Sequence, residues 1–313
     1  MEITNDNLIQ THLGNLTFKS PVFTASGTYG YADEYNDFID VSQIGAVVTK
    51  AISLNPREGN KHTRILETEA GMINSIGLEN VGIEGFLEKK LPVLKERNID
   101  FIMNIAGSSI DEYKKLGEIC DKNGIRAIEL NVSCPNVKSG CLEFGVSADS
   151  LYSLVSEVRD KYRGFLIVKL TPNVTSIEDL AVACKKAGAD CISAINTLKG
   201  LEVKFELING KFRKTKVQGG YSGKGIQPVA LSCVNRIRKA VDIPIIGMGG
   251  IYTLEDMLKF FAVGADAIQI GTANFTYPDS AKRLQNELKE YIIENNFKDL
   301  DDLKDKIRIC FNE

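Results

Sequence analysis

FLIVKLTPNVTSIEDLAVACKKAGADCISAIN, residues 165–196, is the stretch on which the fold turns. Its two ends, FLIVKLT (165–171) and CISAIN (191–196), are short and almost continuously apolar. That is the pattern of strands buried on both faces. Between them, residues 177–187 are amphipathic and long enough to form a crossover helix. The unit therefore reads strand, helix, parallel strand.

Working outward, the same unit recurs. Apolar, β-branched runs stand at 21–26 (PVFTAS), 46–52 (AVVTKAI), 101–106 (FIMNIA) and 127–132 (AIELNV) upstream, and at 243–247 (IPIIG) and 267–271 (AIQIG) downstream. Amphipathic stretches at 110–123, 147–162 and 227–241 suit further crossover helices. About eight such alternations predict a closed (β/α)8 TIM barrel rather than an open sheet. The glycine-rich first turn expected of an open dinucleotide-binding sheet is absent.

Three segments exceed a minimal barrel. Residues 5–20 predict an N-terminal hairpin turning at Leu13-Gly14-Asn15-Leu16. Residues 53–80 read as a long polar loop, and residues 198–225 as a charged, alternating hairpin centred on Asn209-Gly210. Insertions of this kind usually cap the C-terminal mouth, where loops close over substrate. With no linker or low-complexity tract, residues 1–313 read as a single domain.

Composition narrows the partners. The chain has 313 residues, 43% hydrophobic and 25% charged, with a formal net charge of −3. That balance gives no reason to expect nucleic acid or an anionic membrane. Seven cysteines, an odd number without C-x-x-C spacing, fit neither a disulfide framework nor a metal signature. No apolar stretch is long enough for a bilayer span and no signal-peptide pattern opens the chain, so a cytoplasmic protein is expected.

In a barrel, function gathers where strands end. Those ends carry Ser26, Lys50, Asn104, Asn131, Lys169, Asn196 and Thr197, and later Gly249-Gly250 and Gly271-Thr272. Each has an ordinary structural explanation, since asparagine caps helices and lysine reaches for solvent. Their collection on one rim does not. The glycines after the last two strands suit a phosphate-bearing ligand, either a flavin mononucleotide or a phosphorylated substrate. NVSCPN (131–136) puts Cys134 in a loop among Ser133, Pro135 and two asparagines, unlike a core cysteine. Neither histidine, His12 nor His62, lies at a strand end, so the candidates for a base are Cys134, Lys50 and Lys169, of which the lysines better supply positive charge.

Across nearly its whole length the chain resembles the class 1 dihydroorotate dehydrogenases. The resemblance rests on ASGTYG (25–30), TKAISLNPREGN (49–60), GMINSIGLEN (71–80) and NVSCPN (131–136), then VKLTPNV (168–174) and INTLKG (195–200). GGYSGKGIQPVAL (219–231), GMGGI (247–251) and GTANF (271–275) complete the series in order. It is closest to subclass 1B; the fumarate-using subclass 1A, pyrimidine reductases and a non-catalytic FMN-binding barrel are the alternatives.

The resemblance implies FMN contacts from Ser26, Lys50, Ala51, Asn104, Asn131, Lys169 and Ile195. Gly223, Gly249, Gly250, Gly271 and Thr272 would lie on the phosphate side. Substrate contacts would come from Lys50, Asn74, Ser75, Ile76, Gly77, Leu78, Asn131, Asn196 and Thr197. Cys134 would take the C5 proton of dihydroorotate while hydride leaves C6 for the flavin. The implied assembly is a homodimer joined, as a heterotetramer, to an electron-transfer subunit carrying FAD and an iron–sulfur cluster, with NAD as acceptor. Two departures touch loop closure and partner choice: Ser139 and Cys141 in VKSGCLEFG (137–145), and a more heavily charged hairpin at 205–213.

Overall fold

A computed structural model describes residues 7–35, 39–61, 63–133 and 144–309. Its strands are β1 (Thr11–Leu13), β2 (Leu16–Phe18), β3 (Val22–Thr24), β4 (Ala46–Val48), β5 (Ile65–Thr68), β6 (Gly71–Asn74) and β7 (Phe101–Ile105). They continue with β8 (Ala127–Asn131), β9 (Phe165–Leu170), β10 (Cys191–Ala194), β11 (Leu198–Ile208), β12 (Lys211–Ser222), β13 (Ile245–Met248) and β14 (Ala267–Ile270). Eight of them, β3, β4, β7, β8, β9, β10, β13 and β14, form a closed barrel in chain order. Every pair in it is parallel, and β14 returns to β3. The (β/α)8 expectation holds.

The crossover helices begin where the sequence offers a cap. Ser109, Ser147, Ser176 and Thr253 each accept a hydrogen bond from an amide three residues on, opening the helices Ile110–Lys122, Ala148–Arg159, Ile177–Lys186 and Leu254–Ala262. Helix Gln227–Ala240 starts with proline in its first turn instead. The first crossover, between β3 and β4, carries only short 3-10 turns among the described residues.

Two cores lie on the two sides of the barrel wall. Outward strand residues pack on the helices in one large cluster. Inside, Phe23, Ala46, Ile102, Ala127, Phe165, Ile167, Cys191, Ile246 and Ala267 pack with Leu13, Leu16 and Phe18 of the N-terminal hairpin. The predicted turn is present, with Leu13 paired to Leu16 and Gly14 at φ +55°. The hairpin does not cap the mouth, however. Its apolar face matches the apolar residues at the strand starts, so it closes the barrel's amino end.

The other two insertions merge into one sheet over the mouth, ordered β11-β12-β6-β5. Asn209 and Gly210 make the two-residue turn at φ +49° and +75°, the left-handed pair that matches strand twist. The segment 53–80, read as loop, contains the β5–β6 hairpin, which pairs with β12 through Met72–Ser222, Ile73–Tyr221 and Asn74–Gly220. The strand character of GMIN comes from this pairing, and local sequence has no trace of it. Gly219 and Gly71 permit the junction, because a Cβ at either would overlap the opposite backbone.

Candidate active site

Side chains alternate across a strand, so the inward row can be followed upward from the apolar floor. Two residues above Ile102, Ala127, Cys191 and Ala267 stand Asn104, Glu129, Ser193 and Gln269, all with 0% exposure. They form a buried polar belt. Glu129 Oε1 accepts from Asn104 Nδ2 at 2.6 Å; its Oε2 accepts from Ser193 Oγ at 2.7 Å and Gln269 Nε2 at 2.9 Å. Lys169, two residues above Ile167 on β9, brings its Nζ to 3.7 Å from Glu129 Oε1. Pairing and multiple hydrogen bonds are what make a carboxylate at that depth tolerable.

Above the belt opens a cavity of about 860 Å³, within the range of small-ligand sites. Ser26, Lys50, Ala51, Asn131, Lys169, Ile195, Asn196 and Thr197 line it, as do Asn74, Ser75, Ile76, Gly77 and Leu78, and Gly249, Gly250, Gly271 and Thr272. The strand-end residues and the 74–78 loop are thus brought together. Of the expected set, Asn104 sits beneath the cavity in the belt. Gly223 lies beside it, its carbonyl close to Gly250. Cys134 and the neighbouring Cys141 lie outside the described residues, as does His62.

The rim is cross-braced. Asn131 Oδ1 accepts from Asn196 Nδ2 at 3.2 Å. Asn173 donates to Thr171 Oγ1 and the Thr197 carbonyl and accepts from the Lys199 amide, which ties the start of β11 to the loop after β9. Asn80, buried, accepts from the Ser53 and Gly82 amides and donates to Ser53 Oγ and the Leu78 carbonyl. That staple holds the 74–78 loop while Gly77 and Leu78 take φ +77° and +57°, the latter unusual for a leucine. Thr272 Oγ1 donates to Ser222 Oγ at 2.9 Å, joining the sheet over the mouth to the last barrel strand.

Charge at the entrance is shared. Glu79 Oε2 lies 3.6 Å from Lys50 Nζ and 2.5 Å from Arg64 Nη1. The two cations, Lys50 foremost, hold its carboxyl below the usual range. His12 is on the N-terminal hairpin at the far end of the barrel, bonded to Thr17. Burial pushes the Cys120 thiol up to about 12 and also raises those of Cys184, Cys191 and Cys233, which keeps them protonated and inert.

These residues can hold a flat polar ligand with an anionic tail. Lys169 and the asparagines present donors and acceptors at one side, and glycines without side chains present backbone at the other. Ser133 also lines the cavity, and its buried hydroxyl has no partner among the described residues. An orphan of this kind in a cavity wall fits a bound polar group. Gly249 and Gly250 are required by φ +128° and +76° and by crowding from Ala230 and Gln227. Gly271 is not so constrained; a Cβ there would meet only ordinary contacts, so its bare backbone keeps space open.

Reading strand ends missed Glu129, Ser193 and Gln269, although each breaks an apolar run in AIELNV, CISAIN and AIQIG. A polar residue at the same height on several strands was the available signal. Asn80, Asn173 and Glu79 gave none, because their roles depend on loops meeting in space. Among the described residues no cluster of histidine, cysteine or acidic side chains could hold a metal ion. No helix among them is long and apolar enough to cross a membrane.

A closed parallel barrel with a polar cavity at the carboxyl ends of its strands defines the class, a (β/α)8-barrel enzyme. The sequence profile described as Dihydroorotate dehydrogenase matches residues 8–292. The chain belongs to the dihydroorotate dehydrogenase family, and is an oxidoreductase. It is 41% identical over 301 residues to a protein of Thermoanaerobacter pseudethanolicus, covering 96% of this chain and 99% of that one. A protein of Thermodesulfovibrio yellowstonii is 44% identical over 300 residues (95% and 97% covered), and one of Bacteroides thetaiotaomicron 44% over 289 (91% and 93%). All three are named dihydroorotate dehydrogenase B (NAD(+)), catalytic subunit.

Proposed function

We propose that the chain oxidises dihydroorotate to orotate with FMN, using Cys134 as the base, and that the electrons leave for NAD through a partner subunit. The observation that carries this reading is the convergence on one cavity of Lys50, Asn131, Asn196, Thr197 and the 74–78 loop with Lys169 and the glycine ends of the last two strands. FMN supplies the two-electron acceptor when bound. Ser26, Ala51, Asn104, Asn131 and Ile195 would hold it, with Gly223, Gly249, Gly250, Gly271 and Thr272 at its phosphate.

The protein's part is to bind, orient and move one proton. Lys50 pairs with the substrate carboxylate, a charge-assisted contact stronger than a neutral one. Asn131 and Asn196 offer amide donors and acceptors to the substrate ring, and their mutual hydrogen bond fixes their orientation. Cys134 Sγ takes the C5 proton. Lys169 keeps a positive charge at the cavity floor. Asn74 to Leu78, with the sheet above the mouth, exclude water and hold the substrate at reacting distance.

The relatives' shared name, a catalytic subunit using NAD(+), supports a partner for this chain. We assign that partner FAD and an iron–sulfur cluster, on a homodimer of this chain that becomes a heterotetramer. Residues 1–313 act as one domain in this scheme. Two substitutions test it. Cys134→Ala retains FMN and orotate binding while turnover falls by about 10²- to 10⁴-fold; wild-type turnover would remove Cys134 from its role. Lys50→Ala weakens orotate binding at least tenfold; unchanged binding would mean that the carboxylate lies elsewhere.

A further inference from the structure

We infer that Glu129 is a positioning residue for Lys169: it balances and anchors that ammonium from below, and thereby sets the reduction potential of the flavin. The inference rests on the proposal that FMN occupies the cavity above Lys169.

A need for stability alone does not explain this carboxylate. The layer beneath it is apolar, built from Phe23, Ile102, Phe165 and Ile246. Replacing Glu129 and Lys169 together by apolar packing would be compatible with a stable barrel, since apolar replacement of a whole buried ion pair is often neutral or stabilising. Instead Asn104, Ser193 and Gln269, from three further strands, all spend donors on Glu129. Gln269 Oε1 is left buried without a partner among the described residues. The belt thus serves the charge on Glu129 at the expense of its own hydrogen bonding.

The spacing to Lys169 gives that charge its use. At 3.7 Å the ammonium is within ion-pair range of Glu129 Oε1 yet beyond an ordinary hydrogen bond. Both carboxylate oxygens are already covered by neutral donors, so Lys169 is attracted downward without surrendering its N–H groups. It is 6% exposed and lines the cavity. A flavin above it would meet a donor whose positive charge is partly cancelled from beneath. Removing the cancelling charge makes the site more positive and favours added electron density. Weakening the donors around Glu129 leaves its negative charge less masked and does the opposite.

The experiment measures the flavin midpoint potential of the purified holoenzyme by anaerobic equilibration with a reference dye. Flavin content and thermal midpoint are recorded alongside. Glu129→Gln is expected to shift the two-electron equilibrium about tenfold toward reduction, or about 30 mV upward. Glu129→Asp keeps the charge and is expected to stay near wild type. Ser193→Ala retains the Glu129 side chain with one donor fewer and is expected to shift the equilibrium about threefold the other way. This mild variant carries the test should Glu129→Gln not fold. A purely structural role would lower thermal midpoint and flavin content without moving the potential of the flavin retained. Unmoved potentials would therefore overturn the inference while leaving the proposed function standing. A wild-type chain that reconstitutes with no FMN would overturn both.

Discussion

The barrel lumen and the hairpin β11–β12 break the usual rule of burial in opposite directions. In the lumen Asn104, Glu129, Ser193 and Gln269 are fully enclosed. On the hairpin Leu201, Phe205, Leu207 and Phe212 are 57%, 67%, 65% and 64% exposed. The pairing of Leu207 with Phe212 and of Phe205 with Lys214 puts these apolar residues on one face, with Glu206 and Arg213 on the other. Both regions obey the same two-residue alternation; they differ in what lies opposite. Each belt residue faces other strands of a closed barrel, so the charge on Glu129 is met by donors from three of them. The outer hairpin faces no other part of the described chain, so its side chains bear little of the barrel's stability.

That contrast can be broken, and the largest effect is expected in the lumen. Glu129→Leu leaves Lys169 without its counter-charge and should cost about 3–5 kcal/mol in urea unfolding. A cost near zero would make the belt as dispensable as the hairpin. Next comes Asn80→Ala, which strands the Ser53 and Gly82 amides of a buried loop staple. About 1–3 kcal/mol should be lost, together with orotate affinity, because the 74–78 loop loses its anchor.

An intermediate case lies behind the glycine ends of the last two barrel strands. Burial raises the carboxyl of Asp256, but Lys224, Gln227 and the Tyr252 amide outweigh that, and it falls from 3.8 to about 2. A depressed folded-state value means that the contribution is present above about pH 4 and disappears as pH falls toward 2. The stability gap between wild type and Asp256→Asn should accordingly narrow between pH 5 and about pH 2.5. A gap that stays constant would show that the carboxylate's charge plays no part. The smallest effect is expected for Phe205→Ser on the hairpin, within about 0.5 kcal/mol of wild type. A larger loss would mean that the hairpin supports the barrel after all.

The legibility of the sequence follows the same division. Strands of the barrel were visible because burial on both faces leaves continuous apolar runs, as in FLIVKL and AIQI. The hairpin's turn was visible because Asn209-Gly210 meets a local backbone demand. β5 and β6 were not, since ILET and GMIN become strands only by pairing with β12. The end of the barrel that residues 5–20 close was equally hidden, because it depends on matching apolar faces far apart in sequence. At the site, residues at strand tips could be collected on topology alone. The belt one layer down required knowing which residues share a height, which only strand register supplies. The 74–78 loop was found through resemblance to a family, and the structure adds Asn80 as the staple that holds it.

The central claim, that this cavity carries out the oxidation of dihydroorotate on FMN, is tested most directly without any partner. The chain is purified alone, loaded with FMN, made anaerobic and mixed with dihydroorotate while its visible spectrum is recorded. Bleaching of the yellow flavin band, with one orotate formed per flavin, is the predicted result. A flavin that binds and stays yellow under excess dihydroorotate would contradict the account.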